Sequence, residues 1–232
     1  MGAVIKWGPM RISLFAYGVF RGLSKSFAAV LFAPALACAE PVTILALGDS
    51  LTQGYGLPAK DGFVPQMQAW LRDQGEDVAL INGGVSGDTT TGGFARIEWS
   101  LTPKINGLIV ALGGNDVLRG IDPDLSQRNL AGILDVANAA QLPVLLVGIR
   151  VPKNYGPVYK RAFDAIYPHL AVAHNTLLST DFLAALSELS AEDPALALPY
   201  LQPDGLHPNA AGVVLIVNRL GPQVQALIAQ SK

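Results

Sequence analysis

Ser50 stands two residues beyond the glycine that closes an apolar run, in Gly48-Asp49-Ser50-Leu51-Thr52-Gln53-Gly54-Tyr55-Gly56. A serine hydroxyl is a weak nucleophile until a neighbouring base takes its proton. That base is usually a histidine, oriented in turn by a third group. The chain offers three histidines. His169 and His174 fall on or near a stretch of helical periodicity and read as structural or surface residues. His207 differs, because it lies in Pro203-Asp204-Gly205-Leu206-His207-Pro208-Asn209, just ahead of the last helical segment. Asp204 precedes it by three residues, so one turn can set the carboxylate beside the imidazole. Asp-x-x-His also arises readily by chance, and spacing alone leaves the pairing open.

A tetrahedral oxyanion would need preorganised donors as well. Gly87, in Val85-Ser86-Gly87-Asp88, can present its backbone N–H unobstructed by a side chain. Asn115, in Gly113-Gly114-Asn115-Asp116, can offer its amide, and the N–H of Ser50 makes a third donor. Taken singly, Gly87 and Asn115 read equally as turn or capping residues. Asp116 is too far in sequence from His207 to be its natural partner and is expected to fix its own loop. Other catalytic patterns are missing. The Gly-x-Ser-x-Gly elbow of α/β-hydrolases is absent, because Thr52 and not glycine stands two residues after the serine. Gly54-Tyr55-Gly56 lacks the third glycine of a dinucleotide fingerprint and reads as a turn, and there is no phosphate loop.

These residues need a scaffold, and the pattern after residue 40 supplies one. Val42 to Leu47 is a continuous apolar run ending in Gly48, as expected of a parallel strand buried on both faces. Val78 to Ile81, Leu108 to Leu112, Pro143 to Ile149 and the weaker Thr176 to Ser179 repeat the theme. Helical segments are expected over Phe63–Gln74 and Ser126–Ala140. Another, Thr89–Leu101, would have Asp88 as its cap and Phe94, Ile97 and Leu101 facing inward. A fourth runs over Tyr155–Ala173, with Pro168 distorting its last turn. The last covers Asn209 to Ala229, kinked at Pro222. Alternating strands and helices argue for a parallel sheet covered on both faces. In such folds the working loops follow the C-terminal ends of strands. The polar, glycine-rich clusters at Gly48–Ser50, Asn82–Thr90 and Gly113–Asp116 would then open on one edge.

The first 39 residues read differently. They carry Lys6, Arg11, Arg21 and Lys25 and no acidic residue, followed by an apolar run from Phe27 to Ala37 and the small-x-small sequence Ala37-Cys38-Ala39. That order describes a secretory signal peptide, cleaved after Ala39, with a single domain over residues 40–232. The run is too short to span a bilayer, which takes about 20 residues. An uncleaved anchor, or lipidation at Cys38, is the alternative. Of 16 basic and 18 acidic residues in the whole chain, removing those four leaves 12 against 18, or about −6. An acidic surface argues against a nucleic-acid partner. Cys38 is the sole cysteine, so the mature chain has no thiol or disulfide chemistry.

Taken together, the order and spacing of Gly-Asp-Ser, a glycine, Gly-x-Asn-Asp and Asp-x-x-His resemble the SGNH (GDSL-type) hydrolase family. Ser50, Gly87, Asn115 and His207 match its four namesake residues. Gly83 to Thr90, Leu112 to Gly120, Ile149 to Gly156 and Asp204 to Asn209 look like its thioesterase I / lysophospholipase L1 / arylesterase branch. The resemblance covers nearly the whole chain after Val42. It implies a flavodoxin-like three-layer α/β/α sandwich with a five-stranded parallel sheet. It also implies metal- and cofactor-free hydrolysis of a small ester or thioester through an acyl-serine. Ser50, Asp204 and His207 would be the catalytic residues, and Ser50, Gly87 and Asn115 the oxyanion hole. An acyltransferase, or a carbohydrate- or lipid-binding module on the same scaffold, is the alternative. The expected compartment is the periplasm or the exterior, with no membrane span once the signal is removed and a monomer as the default state. Substrate-shaping loops are expected at Gly54–Gly62, Leu118–Pro123, Pro152–Gly156 and Leu198–Pro203. The apolar Leu118, Ile121 and Tyr155 favour an acyl or aryl chain.

Overall fold

A computed structural model describes residues 41–232, together with Gly2 and Ala3. The expected signal peptide, its cleavage point after Ala39, and Cys38 lie outside the described residues. Five strands, β1 (Val42–Gly48), β2 (Val78–Gly84), β3 (Gly107–Ala111), β4 (Val144–Val147) and β5 (Leu177–Ser179), form one sheet. Every pairing is parallel and the order is β2-β1-β3-β4-β5. Helices α1 (Ser50–Gln53) and α2 (Phe63–Asp73) join β1 to β2, and α3 (Thr90–Ser100) joins β2 to β3. Then α4 (Gly114–Leu118) and α5 (Pro123–Ala139) lead to β4, and α6 (Pro157–Asp164) and α7 (Ile166–His174) to β5. After β5 come α8 (Ala184–Glu192), α9 (Pro194–Ala197) and α10 (Ala210–Gln230).

The strand pleat sorts the core into two layers. Along β1, Ile44 and Ala46 face one side, where they join Met67 and Leu71 of α2 and Ile216 and Leu220 of α10. Leu45 and Leu47 face the other side, against Ile97 of α3 and Leu130, Ile133 and Leu134 of α5. The expected three-layer α/β/α sandwich is therefore present. By length and apolar content α10 could cross a membrane, yet half of that stretch is buried in the fold, as suits a core helix.

The direction of chain progression reverses at β1, which has β2 on one side and β3 on the other. A crevice opens at such a switch point, beyond the carboxyl ends of the two diverging strands. Ser50 follows β1 and Asn115 follows β3, so the fold itself delivers both to that crevice.

Several elements depart from the sequence reading. The segment expected as one helix over Tyr155–Ala173 is two, broken at Ala165. Pro168 lies in the first turn of the second helix rather than the last of a long one. It has no N–H to give the carbonyl of Asp164, and the break places the proline where that bond is not required. Thr89, not Asp88, caps α3, accepting from the Gly92 amide. Asp88 is instead taken by Arg96, whose Nε donates to it at 2.8 Å. Arg96 also bonds the Gly48 carbonyl, which turns that side of α3 inward and leaves Phe94 44% exposed. Helices α8 and α9 were absent from the sequence reading. Only Leu186 of α8 is buried, so it carries little amphipathic signal.

Candidate active site

Asp49 shapes the entry to Ser50. Its carboxylate accepts the Leu51 amide at 3.0 Å, capping the single turn of α1 and presenting Ser50 as the first helical residue. The carboxyl is buried, and that burial pushes its pKa up to about 6, against opposing pulls from the Leu51 amide, His207 and Asn115 and a further push from Asp88. The amide N–H of Ser50 donates to no protein acceptor among the described residues.

His207 reaches Ser50 from the far end of the chain. Residues 201–208 make a tight hairpin in which Leu201 bridges Pro208 and the Gln202 amide donates to the His207 carbonyl at 2.7 Å. The Gln202 side chain donates onward to the Tyr55 carbonyl at 2.8 Å, tying this hairpin to the loop after α1. The Tyr55 ring lies 4.8 Å from the imidazole, centroid to centroid. Within the hairpin, Asp204 accepts from the His207 amide at 3.0 Å, the Leu206 amide at 2.9 Å and the His207 ring at 2.7 Å. Those donors, the His207 amide foremost, hold the Asp204 carboxyl down at about 2. An ionised carboxylate only accepts, so Nδ1 of His207 carries the proton and Nε2 is left to accept. Nε2 lies 2.9 Å from Ser50 Oγ. A hydroxyl held against a basic, carboxylate-oriented imidazole can attack an electrophilic carbonyl. Both the imidazole and its partner stay partly open, with side chains 14% and 39% exposed.

Asn115 and Gly87 arrive from the neighbouring turns. Gly113 opens the turn after β3 at φ +122°, and a Cβ there would run into the Tyr167 hydroxyl, so only glycine fits. Asn115 then sits in the first turn of α4, its amide 3.5 Å from Asp49 Oδ2. Asp116, fully buried, accepts the Thr90 amide at 2.9 Å, the Thr90 hydroxyl at 2.5 Å and the Ser126 hydroxyl at 2.9 Å. It fixes its loop, as expected. Gly87 lies on a turn closed by the Asp88 amide on the Val85 carbonyl, with φ at +82°. Its own N–H has no protein acceptor among the described residues.

Ser50, Asn115 and His207 line a common cavity of about 160 Å³, while Gly87 lies on the adjoining turn outside that lining. Val117, Leu118, Ile149, Tyr155, Leu183 and Leu206 give it apolar walls. Of the loops expected to shape it, those at Leu118 and at Pro152–Tyr155 contribute. Ile121 and the loop at 198–203 do not, and Asp181, Leu183 and Ser187 beyond β5 join the main cavity. The loop at 54–62 lines instead a smaller pocket that also borders Ser50 and His207, through Gly54, Tyr55 and Leu57. The sequence reading also missed Asp49, although it adjoins the serine, and Arg119, whose guanidinium donates to the Gly87 carbonyl at 2.7 Å. His169 and His174 stay away from the site; His174 lies near Asn138 and Asp135 on the surface.

Residues 46–214 match the GDSL-like Lipase/Acylhydrolase family. "Esterase TesA" of Pseudomonas aeruginosa is 36% identical over 187 residues, covering 80% of this chain and 89% of the relative. "Thioesterase 1/protease 1/lysophospholipase L1" of Escherichia coli is 36% identical over 188 residues, covering 80% and 85% respectively. Among solved structures, the SGNH-hydrolase family esterase AlinE4 is 41% identical with a TM-score of 0.65, covering 81% of this chain and 97% of that one. By sequence, by fold and by the arrangement around Ser50, the chain belongs to the GDSL-like lipase/acylhydrolase family.

Proposed function

We propose that this chain is a serine-dependent carboxylic ester or thioester hydrolase in which Ser50, His207 and Asp204 act in sequence. The observation that carries the reading is the continuous relay from Asp204 through the His207 ring to Ser50 Oγ, with contacts of 2.7 and 2.9 Å. His207 takes the proton of Ser50 as its oxygen attacks the acyl carbon, and Asp204 stabilises the imidazolium that forms. The Ser50 and Gly87 amides and the Asn115 side chain hold the tetrahedral oxyanion. Collapse expels the alcohol or thiol, which takes its proton from His207. Water, deprotonated by the same imidazole, then releases the acid from acyl-Ser50.

The acyl or aryl group occupies the apolar cavity beside Ser50. Its volume of about 160 Å³ is close to the roughly 150 Å³ that accommodates benzene in an engineered protein cavity. A short acyl or phenyl-sized group therefore fills it, and short esters are the expected preference. Export to the periplasm or the exterior, directed by residues 1–39 and followed by cleavage after Ala39, completes the reading; the order of basic, apolar and small residues supports it.

A p-nitrophenyl ester series from acetate to palmitate tests both parts. Wild-type turnover should peak at the short esters. Ser50→Ala should lose turnover of every ester by a factor on the order of 10³ or more while keeping its circular dichroism. A folded Ser50→Ala protein with near wild-type rates would overturn the assignment, and a peak at palmitate would overturn the pocket reading.

A further inference from the structure

The turn that carries Gly87 is pinned at each of its residues. The Val85 amide donates to the Gly48 carbonyl at 3.0 Å, and the Ser86 hydroxyl to the Gln53 side chain at 2.8 Å. Asp88 accepts from Arg96, which also holds Gly48. These three ties all lead back to the end of β1 and to α1, the elements that carry Ser50. Gly87 itself is held differently. Its carbonyl accepts from the Arg119 guanidinium at 2.7 Å. Arg119 terminates α4, and its amide donates to the Asn115 carbonyl at 3.1 Å. One side chain thus connects the turn of Gly87 to the helix of Asn115.

The N–H and carbonyl of Gly87 belong to successive peptides that pivot about a Cα at φ +82° with no side chain to resist rotation, so the aim of the N–H depends on how the flanking groups are held. Oxyanion donors are effective because they are fixed before the charge develops. We propose that Arg119 is a positioning residue for the oxyanion hole: by holding the Gly87 carbonyl it anchors the C-terminal side of that glycine relative to the helix of Asn115, so that the Gly87 N–H and the Asn115 amide meet one oxygen. This rests on the hydrolase reading given above. Arg119 is exposed, and exposed charged contacts contribute little to folding. Its removal should therefore spare the fold and affect the transition state.

The test compares Arg119→Met and Arg119→Lys with wild type on p-nitrophenyl butyrate. A boronic acid that forms a tetrahedral anionic adduct on the serine serves as the second readout. Arg119→Met should lower kcat about tenfold with KM changed less than about twofold, because a misaimed donor costs less than a deleted one. Affinity for the boronic acid should fall in parallel, and Arg119→Lys should recover most of both. Unchanged kcat, a loss confined to KM, or unchanged boronic acid affinity would each overturn the proposal. Ser50→Ala is measured alongside. If Ser50→Ala is inactive while Arg119→Met keeps wild-type kcat and boronic acid affinity, only the role of Arg119 falls; if Ser50→Ala retains turnover, the hydrolase reading fails and this inference with it.

Discussion

Asp49 and Ser50 are neighbours in sequence with opposed environments. The serine faces the cavity, while the carboxyl beside it is 3% exposed and raised from 3.8 to about 6. The native state therefore holds this proton more tightly than the unfolded chain does. Stability contributed by the protonated form is present at low pH and declines as pH rises from about 4 to 6. The shift of roughly two units corresponds to about 3 kcal/mol that the fold forgoes above that window. Asp49→Asn keeps an oxygen to accept the Leu51 amide and removes the buried charge. Thermal melts should show the variant more stable than wild type at pH 8 and close to it at pH 4; equal melting points at pH 8 would contradict the account. Ser50 was legible in the sequence because Gly-Asp-Ser follows an apolar run. The demand on Asp49 was not, because burial depends on β3 and α4, which lie some sixty residues away in the chain. Arg119 escaped for a related reason: an exposed arginine at the end of a short helix has no signature until Gly87 is seen beneath it.

At the scale of elements, Asp116 joins α3, α4 and α5 through Thr90 and Ser126, and Asn129 of α5 adds bonds to the hydroxyls of Thr90 and Thr91. Such a buried knot is worth keeping only when every member is satisfied. Asp116→Ala strands the Thr90 amide and the Ser126 hydroxyl, and should destabilise the protein by about 2–4 kcal/mol. Urea unfolding measures this, and an unchanged midpoint would show that the knot does not bear on the fold. Strands were legible wherever both faces are buried, since β1, β3 and β4 are uninterrupted apolar runs. Helices were legible where one face is buried, as in α5, whose Leu130, Ile133, Leu134 and Ala137 are all inaccessible. They were not legible where a helix lies on the surface, as α8 does; α3 was legible as a helix but its inward face was not, because Arg96 turns in to bond a carbonyl.

For the molecule as a whole, strand-helix alternation was enough to predict a parallel sheet, but not the order of its strands. That order carries the functional information, because the reversal at β1 is what opens the crevice between Ser50 and Asn115. The proposed export signal makes a separate prediction. Expression of the full chain in a Gram-negative host should yield a periplasmic protein whose mass begins at Glu40; a chain retained in the cytoplasm with Met1 intact would contradict it.

The bond between Ser50 and His207 spans 157 residues, and the hairpin holding the histidine is fastened to Tyr55, close to the serine. On the proposed reading, a growing polypeptide contains its serine long before the imidazole that would activate it has been synthesised. On the same reading, that serine is an ordinary hydroxyl until the hairpin docks. The separation of the two residues ties the proposed reactivity to closure of the whole fold and not to any local segment.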